Sequence, residues 1–102
     1  MVEIKERDDI KDVFKKNRSI ILYGKDDCIH CTIVHKCVEE LEEKYPLISF
    51  YHTNDKYIAE KHNVTSFPTI VFFENGNEQG RLVGSSKITL LKEILNLWFY
   101  KK

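Results

Sequence analysis

The sequence predicts an α/β domain in which helices cover both faces of a central mixed sheet. Three observations support this prediction. Segments with helical and strand periodicity alternate along the chain, the strands between helices are short and apolar, and an Asn-Gly pair near the end marks a hairpin. The 102 residues fit one domain, so we expect residues 1–102 to fold as a single unit.

The first half of the chain predicts three strands and two helices. Asp8 or Asp9 is expected to begin the first helix, and Pro46 is expected to stop the second. A stripe of apolar residues repeating at intervals of three and four supports the second helix. In order, the elements are an edge strand at 2–4, a helix carrying Ile10, Val13 and Phe14, a buried strand at 19–23, a helix from about Cys28 to Tyr45, and a strand at 48–52.

The second half predicts a short helix, a hairpin and a final helix. We expect Asn54 to cap the short helix over 55–62. A β-branched and aromatic strand at 69–73 then leads through Asn75-Gly76 into a strand at 78–83. Ser85 or Ser86 is expected to cap the last helix. Strands separated by helices are predicted to pair in parallel, and the hairpin is predicted to add an antiparallel edge.

The bulk composition excludes several classes of function. Sixteen Lys and Arg residues balance sixteen Asp and Glu residues, so no basic excess favours nucleic-acid binding by counterion release. No apolar run reaches the ~20 residues of a membrane span, and the N-terminus lacks the apolar core of a secretion signal. Three cysteines are few and odd in number, which is untypical of a disulfide-stapled secreted scaffold. We therefore expect a cytoplasmic protein without a nucleic-acid or membrane partner.

The most informative motif is the Cys-Ile-His-Cys sequence at 28–31, between a buried strand and an amphipathic helix. Cysteines three residues apart on a helical turn have Cα atoms about 5–6 Å apart, so a disulfide can close with little backbone motion. Cys28 would lie at the helix N-terminus, where unpaired N–H groups and the helix dipole lower the pKa of a thiol. Cys31 would lie one turn deeper, on the side of Val34. The pattern predicts that Cys28 is the nucleophile and Cys31 the resolving thiol.

Neighbouring polar residues are expected to tune the Cys28 thiolate. His30, as a cation or a hydrogen-bond donor, would stabilise the thiolate, favour the reduced form and make the pair a stronger oxidant. Asp26 and Asp27 oppose this effect because negative charge raises the pKa of a neighbouring thiol, and Lys25 opposes them in turn. The sequence alone leaves the sign of the sum open.

A zinc site is an alternative interpretation of the same cysteines. Cys28, Cys31, Cys37 and a histidine (His30 or His35) would supply four ligands. Cys37 lies nine residues beyond Cys28, a rise of about 13 Å on one helix, which is too far for a shared ion unless the helix breaks. We therefore expect no metal, and we interpret Cys37 as a small, partly buried apolar residue, with regulation by oxidation as its alternative role. The other histidines are interpreted as ordinary surface or strand-end residues: His35, His52 and His62.

With these motifs, the chain resembles the thioredoxin superfamily over nearly its full length. The strand at 20–23 followed by the Cys-x-x-Cys helix looks like the superfamily's active-site segment. Residues 64–76, with Phe67-Pro68-Thr69 at a strand start, look like the segment that carries its cis-proline, and Val83-Gly84 also matches. The resemblance implies a thioredoxin-like three-layer α/β/α sandwich with a central mixed sheet.

The resemblance also implies roles for residues around the cysteines. Pro68 would be cis and would lie with Phe67 beside the two sulfurs. The backbone of Phe67 would then pair with an extended substrate segment. Ile29, Phe67 and Pro68 would together bind the substrate. No cofactor is implied, and a thioredoxin-reductase-like flavoprotein would donate the electrons.

Four features depart from the thioredoxin pattern. Leu22 stands where thioredoxins have a buried aspartate that helps to deprotonate the resolving thiol, and Asp27 stands where they have tryptophan. The Ile-His dipeptide between the cysteines resembles protein disulfide isomerases and the bacterial DsbA oxidants. Lys25 resembles the lysine of glutaredoxins that contacts glutathione, whereas residues 84–86 lack the glycine pair and acidic residue that hold glutathione in that family.

We therefore expect a monomeric thiol–disulfide oxidoreductase that reduces or exchanges the disulfides of protein substrates. His30 favours a reduction potential between those of thioredoxin, about −270 mV, and protein disulfide isomerase, about −180 mV. The alternatives are a glutathione-coupled, glutaredoxin-like enzyme and a non-catalytic adaptor or metal-binding module with the same fold.

Overall fold

Strands and helices alternate along the chain in the order expected from the sequence. The computed structural model describes residues 1–6 and 10–100, so the predicted cap at Asp8 or Asp9 lies outside the described residues. The regular elements are β1 (Val2–Glu3), α1 (Ile10–Phe14), β2 (Arg18–Tyr23), α2 (Ile29–Glu42), β3 (Ser49–Thr53), α3 (Lys56–Lys61), β4 (Thr69–Glu74), β5 (Asn77–Val83) and α4 (Ile88–Tyr100).

The five strands form one mixed sheet in the order β1-β3-β2-β4-β5. β3 pairs in parallel with β1 and β2, whereas β4 runs antiparallel to both β2 and β5. The prediction that helix-separated strands pair in parallel is therefore wrong for β4. The six residues of α3 span only about 9 Å, too short to carry the chain back along β3. β4 consequently starts at the sheet edge where β3 ends.

Two apolar clusters, one on each face of the sheet, make the three-layer α/β/α sandwich predicted from the sequence. One cluster joins the sheet to α2 and α4, and the other joins it to α1 and α3. The helical residues buried in the first cluster are Val34, Val38, Leu91, Leu95 and Trp98. Those buried in the second are Val13, Ile58 and Ala59. Among the described residues, no helix is both long and apolar enough to cross a membrane.

Several element ends differ from the sequence prediction. α2 ends at Glu42 rather than near Tyr45, which lies in the turn before Pro46 and donates its N–H to the Glu42 carbonyl. Asp55, not Asn54, caps α3, because its carboxylate accepts the N–H of Ile58. A short 3-10 turn at Ser85–Lys87 precedes α4 in place of a simple serine cap.

Candidate active site

The ends of four strands meet at one edge of the sheet. Tyr23, the last residue of β2, pairs with Thr53 at the end of β3 and with Thr69 at the start of β4. Thr69 pairs in turn with Val83 at the end of β5. The reversed direction of β4 therefore brings the loop before it to the same edge as the loop after β2. The loop before β4 carries Pro68, and the loop after β2 carries Cys28.

Cys28 and Cys31 form a disulfide across the first turn of α2, as the sequence predicts. Their Cα atoms are 5.2 Å apart. Cys28 is the N-cap, with an extended backbone, and its Sγ accepts the N–H of Cys31 at 3.2 Å. Cys28 is partly exposed, whereas only 8% of Cys31 is exposed. One sulfur is thus open to a partner, and the other is covered.

The loop before α2 turns into the helix at Asp27, whose φ is +56°. This left-handed conformation turns the polar loop into the helix and leaves Cys28 at its first, half-helical position. Thr32 then fixes the helix start, since both its N–H and its hydroxyl donate to the Cys28 carbonyl, at 3.1 and 3.2 Å. The sulfur of Cys28 therefore lies at the positive end of a 14-residue helix.

The residues expected to tune the thiolate surround the pair. His30 is exposed and shares a 3.4 Å hydrogen bond between its Nδ1 and Ser85 Oγ, which connects the motif to the turn before α4. Asp26 accepts the side-chain N–H of Asn54 at 3.1 Å. Lys25 lines the surface groove that also contains Cys28.

The residues expected to bind substrate occupy three different environments. Ile29 is 76% exposed beside Cys28. Pro68 is buried, follows a cis peptide bond as the resemblance implies, and its carbonyl accepts the N–H of Gly84 at 2.8 Å. The Phe67 side chain is half-buried and packs against the cluster beneath α1 and α3. With the ring anchored there, the backbone of Phe67 is the candidate for pairing with substrate.

Cys37 is a free, half-buried thiol farther along α2. Among the described residues, no group of three or more His, Cys, Asp or Glu side chains converges as a metal site would require. Cys28 and Cys31 pair with each other rather than with Cys37.

Two histidines have surroundings that the sequence did not predict. His52 lies near a strand end, as expected, but its ring packs edge-to-face on that of His35, with the centroids 4.6 Å apart. His62 shares a hydrogen bond with the buried hydroxyl of Tyr23. For His52 the signal in the sequence was a histidine within a predicted strand, and it did not identify His35 as the partner.

A disulfide at the start of a helix, with one sulfur open and one covered, is a reversible carrier of two electrons. On this fold it defines a thiol–disulfide oxidoreductase. Residues 2–96 match the sequence profile of the thioredoxin family. The chain belongs to the thioredoxin family.

Individual relatives agree with this assignment. Thioredoxin-1 of Saccharomyces cerevisiae is 30% identical over 70 residues, which cover 66% of this chain and 68% of that protein. The thioredoxin of Mycoplasma genitalium is 27% identical over 100 residues, 94% of this chain and 98% of the relative. The crystal structure of thioredoxin from Trypanosoma brucei brucei superposes with a TM-score of 0.90 at 16% identity, covering 99% of this chain and 92% of that chain. This likeness shows the fold.

Proposed function

We propose that this thiol–disulfide oxidoreductase reduces or exchanges disulfides of protein substrates, with Cys28 as nucleophile and Cys31 as resolving thiol. The difference in exposure between the two sulfurs carries the proposal. Cys28 is partly exposed and its Sγ accepts the N–H of Cys31, whereas only 8% of Cys31 is exposed. A backbone N–H directed at sulfur stabilises a thiolate more than a thiol.

The reaction follows from this arrangement. The Cys28 thiolate attacks a substrate disulfide, forms a mixed disulfide and releases one substrate thiolate. Cys31 then attacks Cys28 Sγ, which closes the intramolecular disulfide and releases the second substrate thiolate. The closure needs little backbone movement, because the Cα separation of 5.2 Å already suits a disulfide.

Substrate would approach over the sheet edge beside Cys28. Ile29 offers an exposed apolar contact next to the nucleophile. The backbone of Phe67, one residue before the start of β4, would pair with an extended substrate segment as an added strand. Pro68, which is buried and tied to Gly84, would hold that backbone in position.

Reduction of insulin disulfides by dithiothreitol tests the two roles. Cys28→Ser is expected to reduce turnover to that of dithiothreitol alone, because no thiolate remains at the helix start. Cys31→Ser is expected to accumulate a mixed disulfide that is visible by mass spectrometry. Cys37→Ser serves as the matched control and should keep wild-type turnover. Wild-type turnover in Cys28→Ser would contradict the proposal.

We also propose a reduction potential between about −270 mV and about −180 mV. His30 supports this value, since its hydrogen bond to Ser85 holds the imidazole beside the cysteine motif, where a cation or donor favours the thiolate. Redox titration of wild type and His30→Ala would measure it, and the variant should have a more negative potential. A wild-type potential below that of thioredoxin would contradict the proposal.

A thioredoxin-reductase-like flavoprotein is the proposed electron donor. Glutathione is the second candidate donor. Lys25 lies in the same groove as Cys28, and its ammonium group would attract a carboxylate of glutathione. Two assays decide between the two donors. One measures turnover with NADPH and thioredoxin reductase, and the other measures turnover with glutathione and glutathione reductase. Lys25→Ala should lower the glutathione-dependent rate more than the rate with thioredoxin reductase.

We further propose that residues 1–102 act as one monomeric domain in the cytoplasm. The family match across residues 2–96 supports a single domain. A small set of three cysteines, two of them redox-active, supports a reducing compartment. Size-exclusion chromatography with light scattering tests the monomer, and fractionation of cells tests the compartment.

A further inference from the structure

A second opening lies beside the cysteine pair, on the side of the covered sulfur. It is a cavity of about 160 Å³ whose walls include Leu22, Gly24, Cys31, His35 and His52. Gly24 forms the wall beside the sulfur, where a Cβ would lie 2.9 Å from Asn54 Oδ1 and in contact with Cys31 Sγ, at 3.7 Å. A volume of this size holds several water molecules.

The resolving step needs a proton acceptor near Cys31. A thiol attacks a disulfide only as the thiolate, and Cys31 is 8% exposed, so bulk water has little access to its proton. Leu22, which lies beside the cavity on β2, is aliphatic and cannot take part. Lys25, Thr32 and Asn54 also line the cavity, but an ammonium group only donates hydrogen bonds, and hydroxyl and amide groups are very weak bases. Two histidines, His35 and His52, remain.

Their contacts distinguish the two histidines. His35 Nδ1 lies 3.1 Å from Glu39 Oε1 on the outer side of α2, and the His35 ring packs edge-to-face on His52. His52 lies on β3, in register with Leu22 on one side and with Glu3 of β1 on the other. His35 is thus held by Glu39 at the surface of α2, whereas His52 lies on the central sheet, and the two rings touch.

The groups around His52 favour its neutral form. Burial has the largest effect and lowers the pKa of His52. His35 and the N-terminal ammonium group lower it further, whereas Glu3 and Glu39 act in the opposite direction. A neutral imidazole at neutral pH is available to accept a proton.

We infer that His52, positioned by His35, accepts the Cys31 proton through water in this cavity during resolution of the mixed disulfide, an inference that rests on the proposed function. The Cys31–Cys28 sulfur bond forms, the bond from Cys28 to the substrate sulfur breaks, and the electron pair leaves with the substrate thiolate. The proton passes from Cys31 to His52 and afterwards to the solvent. The His52 imidazole thus accepts the proton, which the aliphatic side chain of Leu22 cannot do.

Stopped-flow reaction of the reduced protein with dithionitrobenzoate isolates this step in a Cys37→Ser background. The first phase of thionitrobenzoate release reports attack by Cys28, and the second reports resolution by Cys31. The leaving group needs no proton, so the pH dependence of the second phase reports deprotonation of Cys31. We expect this rate to rise with pH as His52 loses its proton and then to level off.

Removing the acceptor should change the second phase alone. His52→Gln is expected to slow it by about 10²-fold at neutral pH, as loss of a general base does, and to move the levelling to higher pH, where Cys31 ionises without a neighbouring base. His62→Gln replaces another half-buried histidine whose pKa is lowered by burial, and it should leave both phases unchanged. His35→Gln should give a smaller loss than His52→Gln.

The outcomes separate this inference from the proposed function. A normal first phase with the same second-phase pH profile in wild type and His52→Gln would overturn the role of His52 and leave the dithiol mechanism intact. Loss of the first phase in the parent protein would overturn both. If His52→Gln does not fold, the parent profile decides, because a second phase that keeps rising with pH above the range in which histidine titrates contradicts the inference.

Discussion

Asp27 combines an unusual backbone conformation with a position next to the nucleophile. Its φ of +56° lies in the left-handed region, which disfavours a residue with a Cβ by about 1–2 kcal/mol but is tolerated by Asn, Asp and Gly. An aspartate thus replaces the tryptophan that the resemblance implied without preventing the turn into α2. The requirement at this position is therefore conformational.

Substitutions at Asp27 test this requirement through stability. Asp27→Ala is expected to lower the free energy of unfolding by about 1 kcal/mol, since alanine lacks the short polar side chain that makes this conformation tolerable. Asp27→Gly should stay within about 0.5 kcal/mol of wild type, because relief of the left-handed strain offsets the added freedom of the unfolded chain. Urea unfolding measures both values. Equal losses in the two variants would show that the side chain, not the backbone, matters.

At the level of single residues, the sequence predicts the chemistry of the cysteines better than it predicts side-chain contacts. The exposed and covered cysteines follow from helical spacing alone, because one turn separates the cap from the buried stripe. The packing of His35 on His52 depends on how α2 lies across β3, which no local pattern encodes. The capping of α3 by Asp55 rather than Asn54 depends on a shift of one residue in where β3 ends.

The β4–β5 hairpin shows how a short sequence signal sets a whole element. Asn75 and Gly76 both have positive φ, at +51° and +82°, which is the geometry that an Asn-Gly turn provides. The turn also packs on α1, since a Cβ on Gly76 would lie 3.0 Å from the carbonyl oxygen of Phe14. Two requirements, conformation and space, therefore exclude a side chain here.

Gly76→Ala is expected to lower the free energy of unfolding by about 1–3 kcal/mol because it violates both requirements. Gly80 lies on the same hairpin, and a Cβ there would meet no atom within 4 Å. Gly80→Ala is therefore the matched control and should stay within about 0.5 kcal/mol of wild type. Thermal or urea unfolding compares them, and a tolerated Gly76→Ala would contradict this account of the turn.

The direction of β4 marks the limit of sequence analysis at the level of elements. The pattern of a helix between two strands predicts a parallel pair, and it is correct for β2 and β3, which α2 connects. The same rule fails for β4 because α3 is too short to span the sheet. The length of α3 decides the topology here. The sequence predicted this helix over 55–62, whereas it spans Lys56–Lys61.

In the whole molecule, both faces of the sheet contribute to the site. The cluster under α2 and α4 buries Val34 and holds the helix that carries both cysteines. The cluster under α1 and α3 holds the half-buried Phe67 and so the loop before β4. The alternation of short apolar strands with amphipathic helices predicted these layers. The assembly of the site at one sheet edge depended on long-range register and was implied only by the resemblance.

Acid should destabilise the whole molecule through its half-buried histidines. Burial is the main cause that lowers the pKa of both His52 and His62 in the folded state. The unfolded chain then binds more protons than the folded chain as the pH falls through the ordinary histidine range, so the stabilisation present at neutral pH is lost. We expect the free energy of unfolding to fall between about pH 7 and about pH 5.

Urea unfolding at several pH values measures this slope, and His62→Gln should reduce it. A free energy that stays constant or rises on acidification would contradict the argument, because it would require the folded state to bind at least as many protons as the unfolded state.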